Sequence, residues 1–246
     1  MTPKIIHYCW FGRNPLPESA IKCINSWKKF FPDYEIKEWN EDNFDVNMIP
    51  YTKEAYEAKK YAFVSDYARY YILYHEGGLY FDTDVEVIAP MEDIIERGAF
   101  MGIEEPGKEG VTYPNVSPGL GLGVEAGHPL YKTLIAYYNT LHFLGEDGLP
   151  KEVTIVEHNT KILAQAGMQK TNDLQQVAGI WIYPNDYFNP LDDLTGRLVK
   201  TKNTRSIHWY SKTWMSKNQT LRNKVTRILH RCFGVDFVHN LGKFIR

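Results

Sequence analysis

Cysteine is scarce. Cys9, Cys23 and Cys232 are the whole complement of this 246-residue chain, they show no metal-ligand spacing, and any pairing strands one of them. That argues against a disulfide framework and suits a reducing cytoplasm, with each thiol serving as a small buried hydrophobe. Long apolar runs are missing too. No stretch approaches the roughly 18 uncharged apolar residues of a membrane span, and the opening MTPKIIHYCWFG lacks the basic, long-apolar, small-residue order of a secretory leader. There is no internal repeat, low-complexity tract or clear linker. Apolar residues at 43% and charged residues at 24% lie near globular averages, which excludes a disordered tail, a collagen and a coiled coil. The length predicts one large core with added helices.

Aromatics are plentiful. Six Trp, 17 Tyr and 12 Phe make up 14% of the chain, a surplus typical of proteins that stack flat ligands such as sugars and bases. The net charge of −2 hides an asymmetry. Residues 216–246 hold seven Lys or Arg against Asp236 alone, so the remainder is acidic. An acidic body with a basic tail is a poor nucleic-acid binder, and no nucleic-acid partner is expected.

The periodicity reads as alternating strands and helices. Strands are predicted at residues 4–8, 34–39, 79–81, 85–88, 100–103, 179–183 and 206–209. Helices are predicted from Pro17 to Pro32, from about Lys53, at 62–76, 129–141 and 154–166. The Gly77-Gly78 pair supplies the positive-φ residues that end a helix, and the glycine- and proline-rich stretch 106–123 reads as loop. Such alternation implies a mostly parallel, three-layer α/β sheet whose ligands gather at the carboxyl ends of its strands. The organisation is one domain over 1–215 with a basic helical appendage over 216–246.

Asp82 and Asp84 sit one residue apart at a predicted strand exit, a pair that suits a hard divalent cation bearing phosphate oxygens. With 13 Asp in the chain, chance alone supplies about one such pair, so context has to carry the reading. The context is YAFVSDYARYYILYHEGGLYFDTDV. On a helix, Ala62, Ser65, Asp66 and Arg69 share a face. That face presents a carboxylate and a guanidinium and feeds through two glycines into the acidic strand end. Asp66 and Arg69 either pair with each other on the surface, for under about 0.5 kcal/mol, or meet ribose hydroxyls and phosphate in a cleft.

These blocks resemble the DxD glycosyltransferases: glycosyltransferase family 32, the Och1-like mannosyltransferases, the bacterial capsular-polysaccharide transferases and, more distantly, the glucosylating clostridial toxins. The resemblance runs over roughly residues 3–214. It is carried by Lys4-Ile5-Ile6-His7 leading to Trp10, Ser65-Asp66, Arg69, Gly77-Gly78, Tyr80, Asp82, Asp84, the YPNDYFNP block at 183–190 and SIHWYSKTW at 206–214. It implies a GT-A fold, a nucleotide-sugar donor, Mn2+ or Mg2+, and retention of anomeric configuration. By matched position, Trp10 stacks on the base, the backbone around Cys9 contacts its edge, and Tyr80 lines the nucleotide pocket. Asp66 and Arg69 hold ribose, sugar or phosphate. Asp82 touches ribose and sugar hydroxyls, Asp84 binds the metal with His208 as a second ligand, and Ser211 with Trp214 closes over the diphosphate. The family often has a Ser-Trp pair in that loop, where this chain has Thr213-Trp214, which leaves open the hydroxyl that reaches phosphate. Glu125 either contacts donor or acceptor or merely caps a loop, and His158 and Asn159 are acceptor-side candidates.

The resemblance thus implies a transferase moving a hexose or N-acetylhexosamine, from a UDP-sugar rather than a GDP-sugar, to a saccharide or lipid-linked saccharide in bacterial surface polysaccharide synthesis. Cleaving the sugar C1–O bond places negative charge on the departing diphosphate, which Arg69 and a cation would stabilise. No side chain stands out as a nucleophile, so a front-face attack is expected. The rival readings are a metal-dependent hydrolase of nucleotide sugars and a non-catalytic sugar-binding protein. In the tail, Leu221, Val225, Ile228, Leu229 and Cys232 form an apolar helical stripe beside Arg222, Lys224, Arg227 and Arg231. Such a helix either docks on the body or lies on an anionic membrane at the inner face of the cell envelope.

Overall fold

The computed structural model describes residues 1–211 and 226–231. In chain order the elements are β1 (Ile5–Cys9), α1 (Glu18–Phe30), β2 (Glu35–Trp39), α2 (Pro50–Glu57), α3 (Tyr61–Glu76), β3 (Gly78–Tyr80), β4 (Val85–Val87), α4 (Glu92–Arg97), β5 (Phe100–Glu105), β6 (Asn115–Ser117), β7 (Leu122–Val124), α5 (Pro129–Tyr138), α6 (Ile155–Gln165), β8 (Gln175–Val177), β9 (Ile180–Tyr183), α7 (Asn185–Phe188) and β10 (Ser206–His208). The main sheet runs β2-β1-β3-β7-β5-β9-β8, with β6 paired to β5. Strands β2, β1, β3, β5 and β9 share one direction, while β6, β7 and β8 oppose it. The expected mostly parallel sheet is therefore present, with antiparallel strands inserted.

Alternation along the strands builds three layers. Ile6, Tyr8, Leu79, Phe81 and Phe100 face a core that includes Cys23, Ile24 and Trp27 of α1 and Ile94 of α4. Cys9, Tyr80, Met101, Ile103, Leu122 and Val124 face the opposite core, made with α2, α3, α5 and α6. Trp27 is fully buried, and its indole N–H donates to the carbonyl of Val85 at 2.8 Å. This bond uses the single polar atom of a large apolar side chain to pin the chain just after Asp84.

The glycine pair does what its residue type allows. Gly77 and Gly78 have φ of 66° and 104°, and a Cβ on Gly78 would fall 2.7 Å from the Ile5 carbonyl oxygen. The chain thus turns from α3 straight into β3, beside β1. The stretch 106–123 departs from the loop expected there, because it contains β6 and the start of β7. These strands are only three residues long and rich in small side chains, so neither shows a period.

A short sheet pairs β10 antiparallel with β4, setting His208 opposite Val85. Of the expected tail, only 226–231 is described, and it is helical. There Arg227 Nε donates to the Asp193 carbonyl at 2.8 Å and its guanidinium pairs with the Asp193 carboxylate, while Arg231 donates to the carbonyls of Thr195 and Gly196. These two arginines turn toward the body and Ile228 is exposed, the reverse of an apolar stripe docked inward. Among the described residues no helix is long and apolar enough to cross a membrane.

Candidate active site

The carboxyl ends of β1, β3 and β5 and the first half of α3 open onto one cleft of ≈ 860 Å³. Of the residues expected to carry chemistry, Cys9, Trp10, Asp66, Arg69, Asp82, Asp84, His208 and Ser211 line it. Residues 62, 65, 66 and 69 of α3 all face it, as their helical spacing requires.

Arg69 forms the floor. Its side chain is 4% exposed and bridges two carboxylates, with Nη2 reaching Asp66 Oδ1 at 3.1 Å and Asp82 Oδ1 at 3.2 Å, and Nη1 reaching Asp82 Oδ2 at 3.3 Å. Its Nε donates to the Ser65 carbonyl at 3.2 Å, and the guanidinium lies over the Tyr80 ring at 4.8 Å. Burial pushes the Asp66 carboxyl up to about 7, against the pull of Arg69 and with the help of the nearby Asp82 charge. The pair is thus a buried one, and the surface alternative is excluded.

Tyr80 departs from its expected place. It is 1% exposed and lies under Arg69, where its hydroxyl donates to Asp82 Oδ1 at 3.2 Å. The period-2 alternation of β3 turns it into the core beneath the cleft, so it supports the floor and does not line the nucleotide pocket. Gly119 completes the setting of Asp82. Its carbonyl accepts from the Asp82 N–H at 3.2 Å, and a Cβ there would stand 2.2 Å from Asp82 Oδ2.

The second half of the acidic pair is held separately. His208 Nε2 stands 3.2 Å from Asp84 Oδ1, and the Ser211 backbone N–H donates to Asp84 Oδ2 at 2.8 Å. Burial opposes a charged imidazole here, but the Asp84 carboxylate outweighs it and lifts His208 to about 9. Burial likewise opposes a charged Asp84, and the His208 and Ser211 contacts hold its carboxyl below the usual range. The β4–β10 register brings together two groups 124 positions apart.

Whether this corner suits a divalent cation can be tested on its donors. Oxygen from Asp84 and nitrogen from His208 are ligands that manganese accepts, and hard cations routinely complete their shell with water and substrate phosphate. Two donor atoms 3.2 Å apart match the roughly 3 Å between adjacent ligands of an octahedron with 2.1 Å bonds. The pair therefore fits, provided that an incoming cation displaces the proton Asp84 holds on His208, since only the neutral imidazole can ligate. Asp82 is not gathered with it, because Arg69 holds that carboxylate, and among the described residues no cluster of three candidate ligands is preformed.

Three weaker candidates fall away from the cleft. Glu125 follows β7 at the opposite end of the sheet and pairs with the chain's N-terminus. Asn159 is fully buried, accepting from the Tyr70 hydroxyl and donating to the Val116 carbonyl. His158 hydrogen-bonds the Tyr137 hydroxyl at 2.9 Å and does not line the cleft. Trp214 lies outside the described residues. Conversely, Lys59, Lys60, Ser117 and Glu104 line the cleft and were not read from the sequence. For Glu104 a signal existed, a carboxylate closing a buried β run before Pro106.

Comparisons with known proteins show similarity in both fold and sequence. A solved glycosyltransferase involved in glycosylation of the major capsid protein of PBCV-1 superposes with a TM-score of 0.52 over 92% of this chain and 100% of that one, at 12% identity. The architecture is the GT-A fold that the resemblance implied. Residues 17–101 match the family described as glycosyltransferase sugar-binding region containing DXD motif, a span that holds Asp66, Arg69, Asp82 and Asp84. Inositol phosphoceramide mannosyltransferase 1 of Schizosaccharomyces pombe is 29% identical over 124 residues, 46% of this chain and 36% of that protein. Its relative inositol phosphoceramide mannosyltransferase 3 is 30% identical over 131 residues, 52% of this chain and 34% of that one. An uncharacterized glycosyltransferase, L373, of Acanthamoeba polyphaga mimivirus is 33% identical over 41% of this chain and 42% of its own length. The chain thus spans well under half of each of these relatives.

Proposed function

We propose that the chain is a metal-dependent, retaining glycosyltransferase that moves a hexose or N-acetylhexosamine from a nucleoside-diphosphate sugar, with UDP favoured over GDP, to a hydroxyl of a saccharide or lipid-linked saccharide. The observation that carries this reading is the buried Arg69 guanidinium, bridging Asp66 and Asp82 in the same cleft that holds the Asp84–His208 corner. A fixed cation in a partly dry cleft, offered to an anion that gains charge as it leaves, is the arrangement leaving-group stabilisation needs.

The residues take these roles. Trp10, half-buried at the end of β1 with its indole N–H donated to the Asn14 carbonyl at 2.6 Å, offers a fixed face for the base, beside the backbone of Cys9. Asp66 and Asp82 orient Arg69 and accept hydroxyls of ribose and sugar. Asp84 and His208 would hold Mn2+ or Mg2+, and Ser211 keeps the Asp84 carboxylate aimed. When bound, the cation would neutralise charge on the diphosphate. The acceptor hydroxyl attacks from the leaving-group side, and a phosphate oxygen takes its proton.

Two relatives are named for mannose transfer to inositol phosphoceramide, which supports a lipid-borne acceptor and keeps mannose among the candidate sugars. The basic tail, residues 216–246, would bring the domain to an anionic lipid surface, where such an acceptor lies. A place in bacterial surface polysaccharide synthesis, at the inner face of the membrane, belongs to the same proposal. The test is a thermal-shift screen with UDP, GDP and their sugar conjugates, with and without Mn2+, because a ligand at 100 times its Kd adds about 2.7 kcal/mol. Stabilisation that requires both nucleotide and Mn2+ supports the reading, and none with any of them overturns it.

A further inference from the structure

One carboxylate in the cleft has no part in the roles above. Glu104 is the penultimate residue of β5, at the end of the sheet where the cleft opens. In the β5–β6 ladder Ile103 pairs with Val116 and Glu105 with Asn115, so Glu104 stands at a register shift with no partner of its own. An extra residue of this kind re-aims a side chain at the rim of a site. The shift is tied down. Asn189, 5% exposed, donates from Nδ2 to the Glu104 carbonyl at 2.9 Å and to the Tyr210 hydroxyl at 2.7 Å. Tyr210 holds a φ of 51°, and its ring packs on His208 with centroids 4.1 Å apart. Its hydroxyl also hydrogen-bonds the Glu104 side chain. Glu104 is thus held near the Asp84–His208 corner, in the same cleft as Arg69.

Its charge is the informative feature. Asp66 and Asp82 share Arg69, and Asp84 faces His208, but among the described residues no cation pairs with Glu104. A carboxylate with no ion-paired cation repels a diphosphate. It suits a neutral polyol, because it only accepts and can take several hydroxyl donors at once, and it favours the positive charge that develops on a sugar ring as its C1–O bond breaks.

We propose that Glu104 reads the transferred sugar, its carboxylate accepting ring hydroxyls of the donor's hexose. The inference rests on the transferase reading and adds to it a division of the cleft: nucleotide and cation on Trp10, Arg69, Asp84 and His208, and sugar on Glu104.

The test is calorimetric titration of the full chain and of Glu104→Gln with UDP, UDP-glucose, GDP and GDP-mannose, each with Mn2+. Gln keeps the size and one acceptor oxygen while removing the charge and replacing the other acceptor with a donor amide, and Glu104→Asp serves as a second variant that keeps the charge. In the wild type the sugar conjugate of the preferred nucleotide binds more tightly than the bare nucleotide. In Glu104→Gln that advantage falls by about tenfold, the value of a hydrogen bond to a charged group, while the bare nucleotide binds as before and Glu104→Asp recovers part of the loss. An unchanged advantage, or an equal loss on bare nucleotide and conjugate, overturns the assignment of Glu104 and leaves the transferase reading standing. Failure of the wild-type chain to bind any of the four overturns both.

Discussion

Removing the Arg69 guanidinium should expose the electrostatics of the cleft floor most sharply. Arg69→Met preserves much of the apolar stem and deletes a cation shared by Asp66 and Asp82. A buried pair broken from one side costs about 3–5 kcal/mol, because a charge is left without compensation. For a chain of this size that lowers Tm by about 6–20 °C. The loss should depend on pH. The folded-state pKa of Asp66 is raised to about 7 from its usual 3.8, so its ionisation already works against the fold, with a penalty that is absent below about pH 4 and grows until about pH 7. Without Arg69 that pKa rises further, and the penalty keeps growing above pH 7, where the wild type has levelled off. Urea unfolding at pH 6 and pH 9 should therefore show a larger deficit at the higher pH. Asp66→Asn in the same chain should restore most of the stability. A deficit below about 1 kcal/mol, or one equal at both pH values, would refute the claim that Arg69 compensates buried carboxylates.

Four other outcomes follow from the same geometry. Asp84→Ala should abolish Mn2+-dependent turnover of the donor in a chain that stays folded by circular dichroism; normal turnover counts against the metal corner. Gly119→Ala places a Cβ 2.2 Å from Asp82 Oδ2, so it should displace that carboxylate and weaken donor binding with little change in circular dichroism. Trp10→Ala should raise the nucleotide Kd by about 5- to 150-fold, given about 1–3 kcal/mol for a base stacked on an aromatic ring, as read by calorimetry. In vesicle flotation, the full chain should bind anionic vesicles better than a chain ending near Lys212, since each basic residue near such a surface contributes about 1 kcal/mol; equal binding sinks the tail's proposed role.

Much of this site was legible in the sequence because its parts lie on one continuous stretch. Helical spacing alone put Ser65, Asp66 and Arg69 on one face, and two glycines fixed the turn that delivers Asp82 and Asp84. What resisted reading depends on partners distant in the chain. The contest for Asp82 between Arg69 and a cation is decided by the packing of α3 on β3. The inward turn of Tyr80 follows from which face of β3 meets α3, and no single strand of three residues reveals that. Glu104 is set by a register shift against β6, an element too short to show periodicity. Asn159 and His158, read as acceptor-side candidates, are fully buried and half-buried on α6, where Tyr70, Val116 and Tyr137 claim their polar atoms.

The central claim is that the Asp84–His208 corner gathers a cation and a nucleoside diphosphate beside Arg69. Crystals of the full chain soaked with MnCl2 and UDP, or GDP if that binds more tightly, and measured at the manganese absorption edge, test it directly. The account predicts an anomalous peak within bonding distance of Asp84 and His208 with the diphosphate against it. A peak elsewhere, or nucleotide bound with that corner empty, would contradict it.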